Sequence, residues 1–374
     1  MTARLVIHAG THKTGSTYIQ ERLLRNRKKL REQGFIYEFP NDQATSFKLL
    51  ASEICRGKWS AFETYLDQYK KSNHPIVISA EHFAVPLNDP DCLKRLRKIA
   101  RRKGYELEVC IFIRTQLDYI NSRYAYSLRR FYHSHNFEDF VKEALAGHLP
   151  GEGKRRGRIQ KREHLFDFWS YFQPLLRAQA KGLKVTFLPF RQNNQDPFEQ
   201  LLQVLGLSAT DPWLACGNRY RNRSPGTRGV WLARLLSQKL EQHNIRQRSI
   251  EGSSKIILQE EAWRGWKDPS YWGFRRGEAR RTHDHFRSNN DRFARNVWGQ
   301  DWSQVFVHDH DLLQRRRSSY KPESLRQELI MHGIADHLLR RIVHRQQPRP
   351  WHSITDPADR LLSRLNPNLM QFSH

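Results

Sequence analysis

The chain has 374 residues, enough for one large α/β domain with additions or for two smaller domains. Its 64 Lys and Arg against 38 Asp and Glu give a formal net charge of +26, which favours anionic partners such as nucleotides, acidic glycans, nucleic acid or anionic membrane surfaces. No zinc-finger spacing or RNA-recognition signature accompanies this charge, no apolar stretch approaches the ~20 residues that span a bilayer, and the first predicted strand begins close to Met1. We therefore expect a cytoplasmic protein without a dedicated nucleic-acid module.

The first predicted element is a strand that leads through a tight turn into a helix. Residues 4–9 are a compact apolar run, typical of a buried strand in a parallel sheet. The backbone N–H groups at the start of the following helix have no partner within the helix and lie at the positive end of its dipole. The tight turn and the first turn of the helix that follows it therefore predict a binding site for a phosphate or a sulfate. The residues expected to surround this anion are Gly10, Thr11, His12, Lys13, Thr14, Gly15, Ser16 and Thr17.

This stretch differs from the nucleotide-binding pattern G-x-x-x-x-G-K-[ST]. In that pattern the lysine directly precedes the hydroxyl residue that binds magnesium, whereas here Gly15 precedes Ser16 and Lys13 lies upstream. The difference weakens an ATPase or GTPase interpretation. The simplest alternative is an ordinary strand, turn and helix with a few solvated polar residues.

The stretch from Gly10 to Tyr18 resembles the 5′-phosphosulfate-binding loop of sulfotransferases that use 3′-phosphoadenosine-5′-phosphosulfate (PAPS) as sulfonyl donor. The form H-x-G-x-H-K-T-G-S-T, with Gln20 after it, is similar to a bacterial branch of that family. The resemblance implies a P-loop-type fold. It also implies that Thr14, Gly15, Ser16 and Thr17 hold the 5′-phosphate.

Two helical segments are expected within residues 44–72, followed by a second parallel strand over residues 74–80. This strand places Glu81 and His82 at its carboxyl end, where open α/β sheets bind ligands. Glu81 is a candidate general base for an acceptor hydroxyl or amine, with His82 as its competitor and His12 as a more distant third. The alternative is that Glu81 pairs with Lys13 or an arginine for structural reasons only. In the family that the chain resembles, an acidic residue or a histidine after this strand acts as the base.

A basic helix over residues 91–103 precedes a third strand over residues 107–113, which leads to Arg114. Thr115 and Asp118 then resemble a capping box at the start of a helix. Arg114 and Ser122 lie eight residues apart, so that both could reach one phosphate. This spacing resembles the Arg-x7-Ser motif with which sulfotransferases bind the 3′-phosphate. Alternatively, Arg114 is an ordinary surface ion-pair partner.

Residues 150–164 are predicted to form a mobile basic loop insertion, followed by a helix over residues 164–180 and a fourth strand over residues 184–190. A helix then begins at Asp196-Pro197 and ends near Gly206, and another is expected over residues 227–243. The fourth strand and the helix from Asp196-Pro197 to Gly206 resemble the late β-α unit of sulfotransferases. The resemblance also implies that Arg223, ahead of the last of these helices, contacts the donor.

Residues 283–306 resemble the terminal helix of the bacterial branch, and a further helix is expected near residues 323–343. His283, His285, His308 and His310 pair at i,i+2 spacing, which suits a strand better than a helical metal site, and we predict no metal. The four cysteines are scattered and are predicted to be reduced thiols. We divide the chain into an α/β domain over residues 1–310 and a basic, partly helical extension over residues 311–374, which could contact an anionic surface.

The sequence thus predicts an α/β fold with an open parallel sheet of P-loop type, flanked by helices and followed by a mostly helical extension. The resemblance implies transfer of a sulfonyl group from PAPS to a hydroxyl or amine, with adenosine 3′,5′-bisphosphate as product and without a metal. Lys13 and Glu81 or His82 would be the catalytic residues, and an acidic or neutral glycan is the expected acceptor. The alternatives are a nucleotide-dependent kinase and a non-enzymatic protein that binds anions or glycans.

Overall fold

A computed structural model describes residues 2–41, 44–151, 163–190, 195–217, 223–250 and 252–346. Four strands form one sheet in the order β2-β1-β3-β4, and all neighbouring pairs are parallel. The predicted open, parallel α/β sheet is therefore confirmed. The strands are β1 (Ala3–His8), β2 (Ile76–Ser79), β3 (Tyr105–Ile113) and β4 (Lys184–Pro189).

Buried apolar side chains explain why these four segments are strands. Leu5, Val6 and Ile7 of β1 are fully buried, because helices cover both faces of a parallel sheet. The register pairs His8 with Ser79 on one side and with Cys110 on the other, and it pairs Ile113 with Pro189. All four carboxyl ends therefore lie along one edge of the sheet, where the loops that follow the strands meet.

In the described residues from β1 to Gly151, the chain forms eight α-helices. The segments expected within residues 44–72 and over 91–103 are confirmed as α3, α4 and α6. The bounds are α1 (Ser16–Arg25), α2 (Arg27–Glu32), α3 (Lys48–Cys55), α4 (Ser60–Tyr69), α5 (Ala84–Leu87), α6 (Pro90–Arg102), α7 (Gln116–Arg129) and α8 (Phe137–Leu145).

Nine further helices are described after residue 163. They confirm the helices expected after Asp196, over residues 227–243 and near residues 323–343. The bounds are α9 (Phe168–Tyr171), α10 (Gln173–Gln179), α11 (Pro197–Leu205), α12 (Thr227–Gln242), α13 (Ser253–Trp263), α14 (Arg276–Trp298), α15 (Trp302–Val305), α16 (Asp309–Gln314) and α17 (Leu325–Gln346).

The single helix expected over residues 164–180 is wrong, because the chain forms two short helices there. Asp167 accepts a hydrogen bond from the Ser170 backbone N–H and starts α9 at Phe168. Pro174 has no N–H and is favoured in the first turn of a helix, so it marks the beginning of α10 rather than its interior. Most of the predicted insertion, residues 152–162, lies outside the described residues.

The histidine pairs also differ from the strand-like pattern that their spacing suggested. His283 and His285 lie inside the long helix α14, and His308 and His310 lie at the start of α16. In the described part of the chain, no group of three or more His, Cys, Asp or Glu side chains is arranged to hold a metal ion. All four cysteines are free thiols.

Helix α17 packs along α12, where Lys239 Nζ lies 2.6 Å from a carboxylate oxygen of Asp336. Trp272 and Ser318 exchange backbone hydrogen bonds, which also join this part of the chain to the body. Residues 347–374 lie outside the described ranges, and the division at residue 310 stays a prediction. Among the helices described, none has the length and apolar character needed to cross a membrane.

Asp196 fixes helix α1 against α11. Its carboxylate caps α11 by accepting a hydrogen bond from the Phe198 N–H at 2.7 Å, and it also accepts one from the Tyr18 hydroxyl at 2.5 Å. Arg22 Nη1 lies 3.2 Å from the same carboxylate, and its guanidinium stacks 4.4 Å from the centre of the Phe198 ring. One side chain thus joins the helix after β1 to the helix after β4.

We expect Asp196→Ala to lower the free energy of unfolding by about 1–3 kcal/mol, because it removes a cap and the ion-pair partner of the buried Arg22. Urea denaturation measures this loss. Glu199→Ala, an exposed acidic residue in the same first turn, is the matched control and should change stability by no more than about 0.5 kcal/mol. Equal midpoints for both variants would contradict the structural role of Asp196.

Candidate anion-binding site

The loop between β1 and α1 is anchored to strand β3. The Ala9 N–H donates to the Cys110 carbonyl at 2.9 Å, and the Thr11 hydroxyl donates to the Phe112 carbonyl at 3.1 Å. The Thr14 hydroxyl in turn donates to the Thr11 carbonyl at 2.5 Å. These bonds occupy the polar groups of Thr11 and Thr14 in shaping the loop.

Two residues of the loop have left-handed backbone conformations. Gly15 has φ +74°, and a Cβ there would lie 2.9 Å from the Phe190 ring, so this position requires glycine. Lys13 has φ +71°, which is strained for a residue with a side chain. Arg114 supports this conformation, because its Nη1 donates to the Lys13 carbonyl at 2.6 Å.

Helix α1 begins at Ser16, directly after this loop. Gly15 occupies the N-cap position and supplies no side-chain hydrogen bond to the first turn. The positive end of the helix therefore has no side-chain cap at that position, and its backbone N–H groups suit an anionic ligand. Ser16 is buried and Thr17 is half-buried in this first turn.

Three cations surround the ring of Tyr126 on α7. Lys13 Nζ lies 5.1 Å from the ring centre, the Arg123 guanidinium 5.3 Å and the Arg129 guanidinium 5.6 Å. Burial, followed by the charges of Arg129, Arg114 and Arg123, lowers the pKa of Lys13 to about 7. We call Lys13, Arg114, Arg123 and Arg129 the cation cluster. Burial and the repulsion among its members together disfavour a charged lysine.

Arg114 binds Asp118 as well as the loop. Its Nε and Nη2 lie 2.7 Å and 2.6 Å from Asp118 Oδ2, so the predicted capping box of Thr115 and Asp118 is wrong. Thr115 occupies the N-cap position but makes no side-chain cap bond, and its hydroxyl instead donates to the Asp309 carboxylate. The Asp118 carboxylate turns to the charged guanidinium rather than to the N-cap backbone. Asp118 and the Lys13 carbonyl together engage three of the five N–H donors of Arg114. Among the described residues, the other two N–H donors of Arg114 have no partner, so they are available to a ligand.

Ser122 and Arg223, the two other predicted donor contacts, are linked to the cation cluster through the helix that carries it and through the backbone. Ser122 is one helical turn from Asp118 and one from Tyr126, so it shares the face of α7 that meets the loop. Arg223 is exposed, and its backbone carbonyl accepts a hydrogen bond from Arg129 Nη1 at 2.8 Å. Arg223 thus adjoins Arg129 of the cluster, and Ser122 lies one helical turn from Asp118, the partner of Arg114.

Glu81 and His82 follow β2, as expected, and lie in a 3₁₀ turn at the same edge of the sheet. Glu81 accepts a hydrogen bond from Gln20 Nε2 at 3.1 Å, and His82 Nδ1 lies 3.6 Å from its other oxygen. The His82 ring meets the His12 ring edge to face, with centres 5.7 Å apart. Three of the predicted residues, His12, Glu81 and His82, therefore lie together.

Glu81 is a carboxylate near neutral pH. Burial raises its pKa, but His82, the backbone N–H of its own turn, Gln20 and Lys48 together outweigh burial and leave the pKa below its ordinary value. Its charge also acts on Lys13, whose pKa it raises slightly against the cation cluster. The site therefore combines an ionised carboxylate with an excess of positive charge.

His8, which the sequence placed within a strand, lies fully buried beneath the loop. Its Nδ1 forms a 2.8 Å hydrogen bond with Ser79 Oγ, and burial lowers its pKa to about 4 although Glu81 opposes this shift. His8 Nε2 has no hydrogen-bond partner among the described residues, and it would lie 3.3 Å from a Cβ at Gly10. A polar side chain directly after the apolar run Leu5–Ile7 was the available sequence signal.

Sequence reasoning also missed Tyr126, Arg123 and Arg129. Tyr126 and Arg129 lie four and seven residues after Ser122, which puts all three on one face of α7. That spacing could have indicated their role once Ser122 was chosen. Arg123 lies off this face, and only the packing of α7 places its guanidinium beside Tyr126.

Fold and site together define an α/β protein with a cationic, anion-attracting site at the carboxyl edge of a parallel sheet. Comparisons with protein-family models, with curated proteins and with solved structures found no match for this chain.

We expect the affinity for inorganic sulfate to fall as the pH rises, because Lys13 loses its proton near pH 7 and an anion binds its charged form. Between about pH 6 and about pH 8 the charged fraction falls roughly tenfold, and the association constant should fall by a similar factor. Sulfate itself does not titrate in this range. Isothermal titration calorimetry measures the change.

Lys13→Arg is the matched control, because a guanidinium stays charged throughout this range. Its affinity for sulfate should stay level from about pH 6 to about pH 8. If the wild type and Lys13→Arg lose affinity together, the nearby histidines rather than Lys13 control the pH dependence.

Proposed function

We propose that the protein is a PAPS-dependent sulfotransferase that moves a sulfonyl group to a hydroxyl or an amine of an acceptor. One observation carries this proposal. The cation cluster and the ionised Glu81 lie around a single loop, whose residues resemble the phosphosulfate loop of that family. This arrangement combines anion binding with a base.

The cation cluster fits a donor with anionic groups at two places. Lys13 and the first turn of α1 suit the 5′-phosphosulfate, while Arg114 and Ser122 suit the 3′-phosphate. Arg114 retains two N–H donors beyond those used by Asp118 and Lys13. An anion among these groups would also relieve their mutual repulsion and raise the pKa of Lys13.

PAPS, when bound, would supply the sulfonyl group and a bisphosphate leaving group. Protonated Lys13 then stabilises negative charge that develops on the sulfonyl and leaving oxygens. Glu81 accepts the proton of the attacking hydroxyl or amine, and Gln20 and His82 hold its carboxylate in place. His82 and His12 stay alternative bases because they lie in the same group of side chains.

The acceptor is proposed to be a glycan or another polar metabolite. The net charge of +26 favours an acidic acceptor, because a basic surface attracts anions before the site selects among them. A neutral glycan also fits the base chemistry, since any hydroxyl can donate its proton to Glu81.

We expect adenosine 3′,5′-bisphosphate to raise the melting temperature more than adenosine 5′-phosphate, because only the first carries the phosphate assigned to Arg114 and Ser122. At about 100 times its Kd, a ligand adds about 2.7 kcal/mol of stability. In Arg114→Gln/Ser122→Ala the two nucleotides should give equal shifts. Differential scanning fluorimetry measures these shifts.

Arg101→Gln, an exposed arginine on α6, is the control and should preserve the difference between the nucleotides. Equal shifts with the wild type would contradict the 3′-phosphate assignment. A larger shift with ATP and Mg²⁺ would favour the kinase alternative.

We expect Glu81→Gln to reduce sulfonyl transfer by about 10²–10⁴-fold while it preserves the thermal shift given by adenosine 3′,5′-bisphosphate, because the substitution removes a base and no phosphate contact. Transfer is followed by incubation with ³⁵S-labelled PAPS and fractionated lysate. Glu32→Gln, an exposed glutamate on α2, should transfer normally. Binding of the bisphosphate without labelled product from any fraction would instead support a non-enzymatic anion-binding protein.

A further inference from the structure

A cavity of about 440 Å³ lies between α7, α12 and the start of α14, away from the loop between β1 and α1. Tyr124 lines it from α7, and this residue is two positions from both Ser122 and Tyr126. Two positions correspond to a rotation of about 200° around a helix, so Tyr124 lies on the opposite face from the residues that meet the loop. Helix α7 therefore separates this cavity from the cation cluster.

Aromatic rings form the floor and one wall of this cavity. Tyr124 stacks on Tyr271 with ring centres 5.6 Å apart, and these two residues are 2% and 9% exposed. Trp231 and Tyr320 meet edge to face at 5.9 Å, and both are only partly buried. The lining thus offers ring surfaces against which a flat or puckered ring can pack.

Four arginines add positive charge to the same lining. In the part of the chain that the structure describes, none of their guanidinium groups forms a salt bridge, although Glu138 and Glu278 also line the cavity. Burial raises the pKa of Glu278, and the nearby Glu138 adds to this, while a backbone hydrogen bond at Arg275 and the charges of Arg317 and Arg281 oppose the rise without cancelling it. The arginines are Arg234, Arg275, Arg281 and Arg317.

A guanidinium offers paired donors that match the oxygens of a sulfate, phosphate or carboxylate. Arg234 and Arg317 also act electrostatically on the hydroxyls of Tyr124 and Tyr271, so they lie near the aromatic floor. The volume falls within the range of roughly 300–1,000 Å³ that small-molecule sites occupy. Arg234 also hydrogen-bonds the side chain of Tyr124, which ties its guanidinium to the ring surfaces. The size of the cavity, its ring surfaces and its four guanidinium groups without a carboxylate ion pair among the described residues thus point to one kind of ligand.

We propose that this cavity binds a small molecule that carries a sulfate, phosphate or carboxylate on a ring, with the ring against Trp231 and Tyr320 and the anion between Arg234 and Arg317. The ring can belong to a sugar or to an aromatic acid, since both present a face to the aromatic wall. This site is separate from the loop site and does not depend on the proposed transfer reaction.

The test is calorimetric titration of the full chain with glucose 6-sulfate and with phenyl sulfate, each in a Lys13→Ala background that weakens anion binding at the loop. Saturable binding of either probe supports the proposal and identifies the kind of ring. Glucose and inorganic sulfate alone should bind at least tenfold more weakly, because each lacks one of the two recognised features.

Arg234→Gln/Arg317→Gln in the same background should weaken binding of the preferred probe at least tenfold. Arg287→Gln, an exposed arginine of α14 outside the cavity, is the matched control and should bind as the background does. An unchanged melting temperature shows that the double variant is folded. If neither probe binds, or if the double variant binds as tightly as the control, the proposal is wrong.

Discussion

Repulsion among Lys13, Arg114, Arg123 and Arg129 is the constraint on which the site depends. Four cations in a partly buried space disfavour the folded protein unless their charges are offset. The fold supplies part of this offset through the Tyr126 ring, the Asp118 carboxylate and the Lys13 carbonyl. Burial, followed by the remaining excess of positive charge, lowers the pKa of Lys13 to about 7. A bound anion would offset the remaining positive charge, which is why we propose that the site binds one.

The parallel sheet is what brings these groups together. Every strand ends at the same edge, so the residues after β1, β2 and β3 meet although they are far apart along the chain. Arg114, after β3, reaches back 101 residues to the Lys13 carbonyl, and Glu81, after β2, lies close enough to affect the pKa of Lys13. The left-handed conformation of Lys13 depends on the first of these contacts. The strained backbone of Lys13, the charges of Arg114 and Glu81, and the parallel order of the strands therefore all act on the loop between β1 and α1.

The sequence predicted the four strands and most long helices because apolar patterns and caps are local properties. It predicted that Gly10–Thr17, Glu81 and Arg114 would come together because strand ends share an edge. It failed where a tertiary contact competed with a local rule: Asp118 suited a capping box, but the charged Arg114 bound its carboxylate instead. Arg123 could not be predicted, because its position depends on how α7 packs.

Glu81 and Lys13 have complementary protonation states at neutral pH. The neighbours of Glu81 keep its pKa below the ordinary value, so its carboxylate is ionised, whereas the pKa of Lys13 lies at about 7, so a bound anion at neutral pH would increase its charged fraction. In the proposed transfer reaction, a base that is ionised in the free site and a cation whose charge increases on binding suit an ordered sequence of steps. Donor binding would charge Lys13, and only then would the site stabilise negative charge on the group being transferred. The same low pKa lets the empty loop tolerate its arginine neighbours.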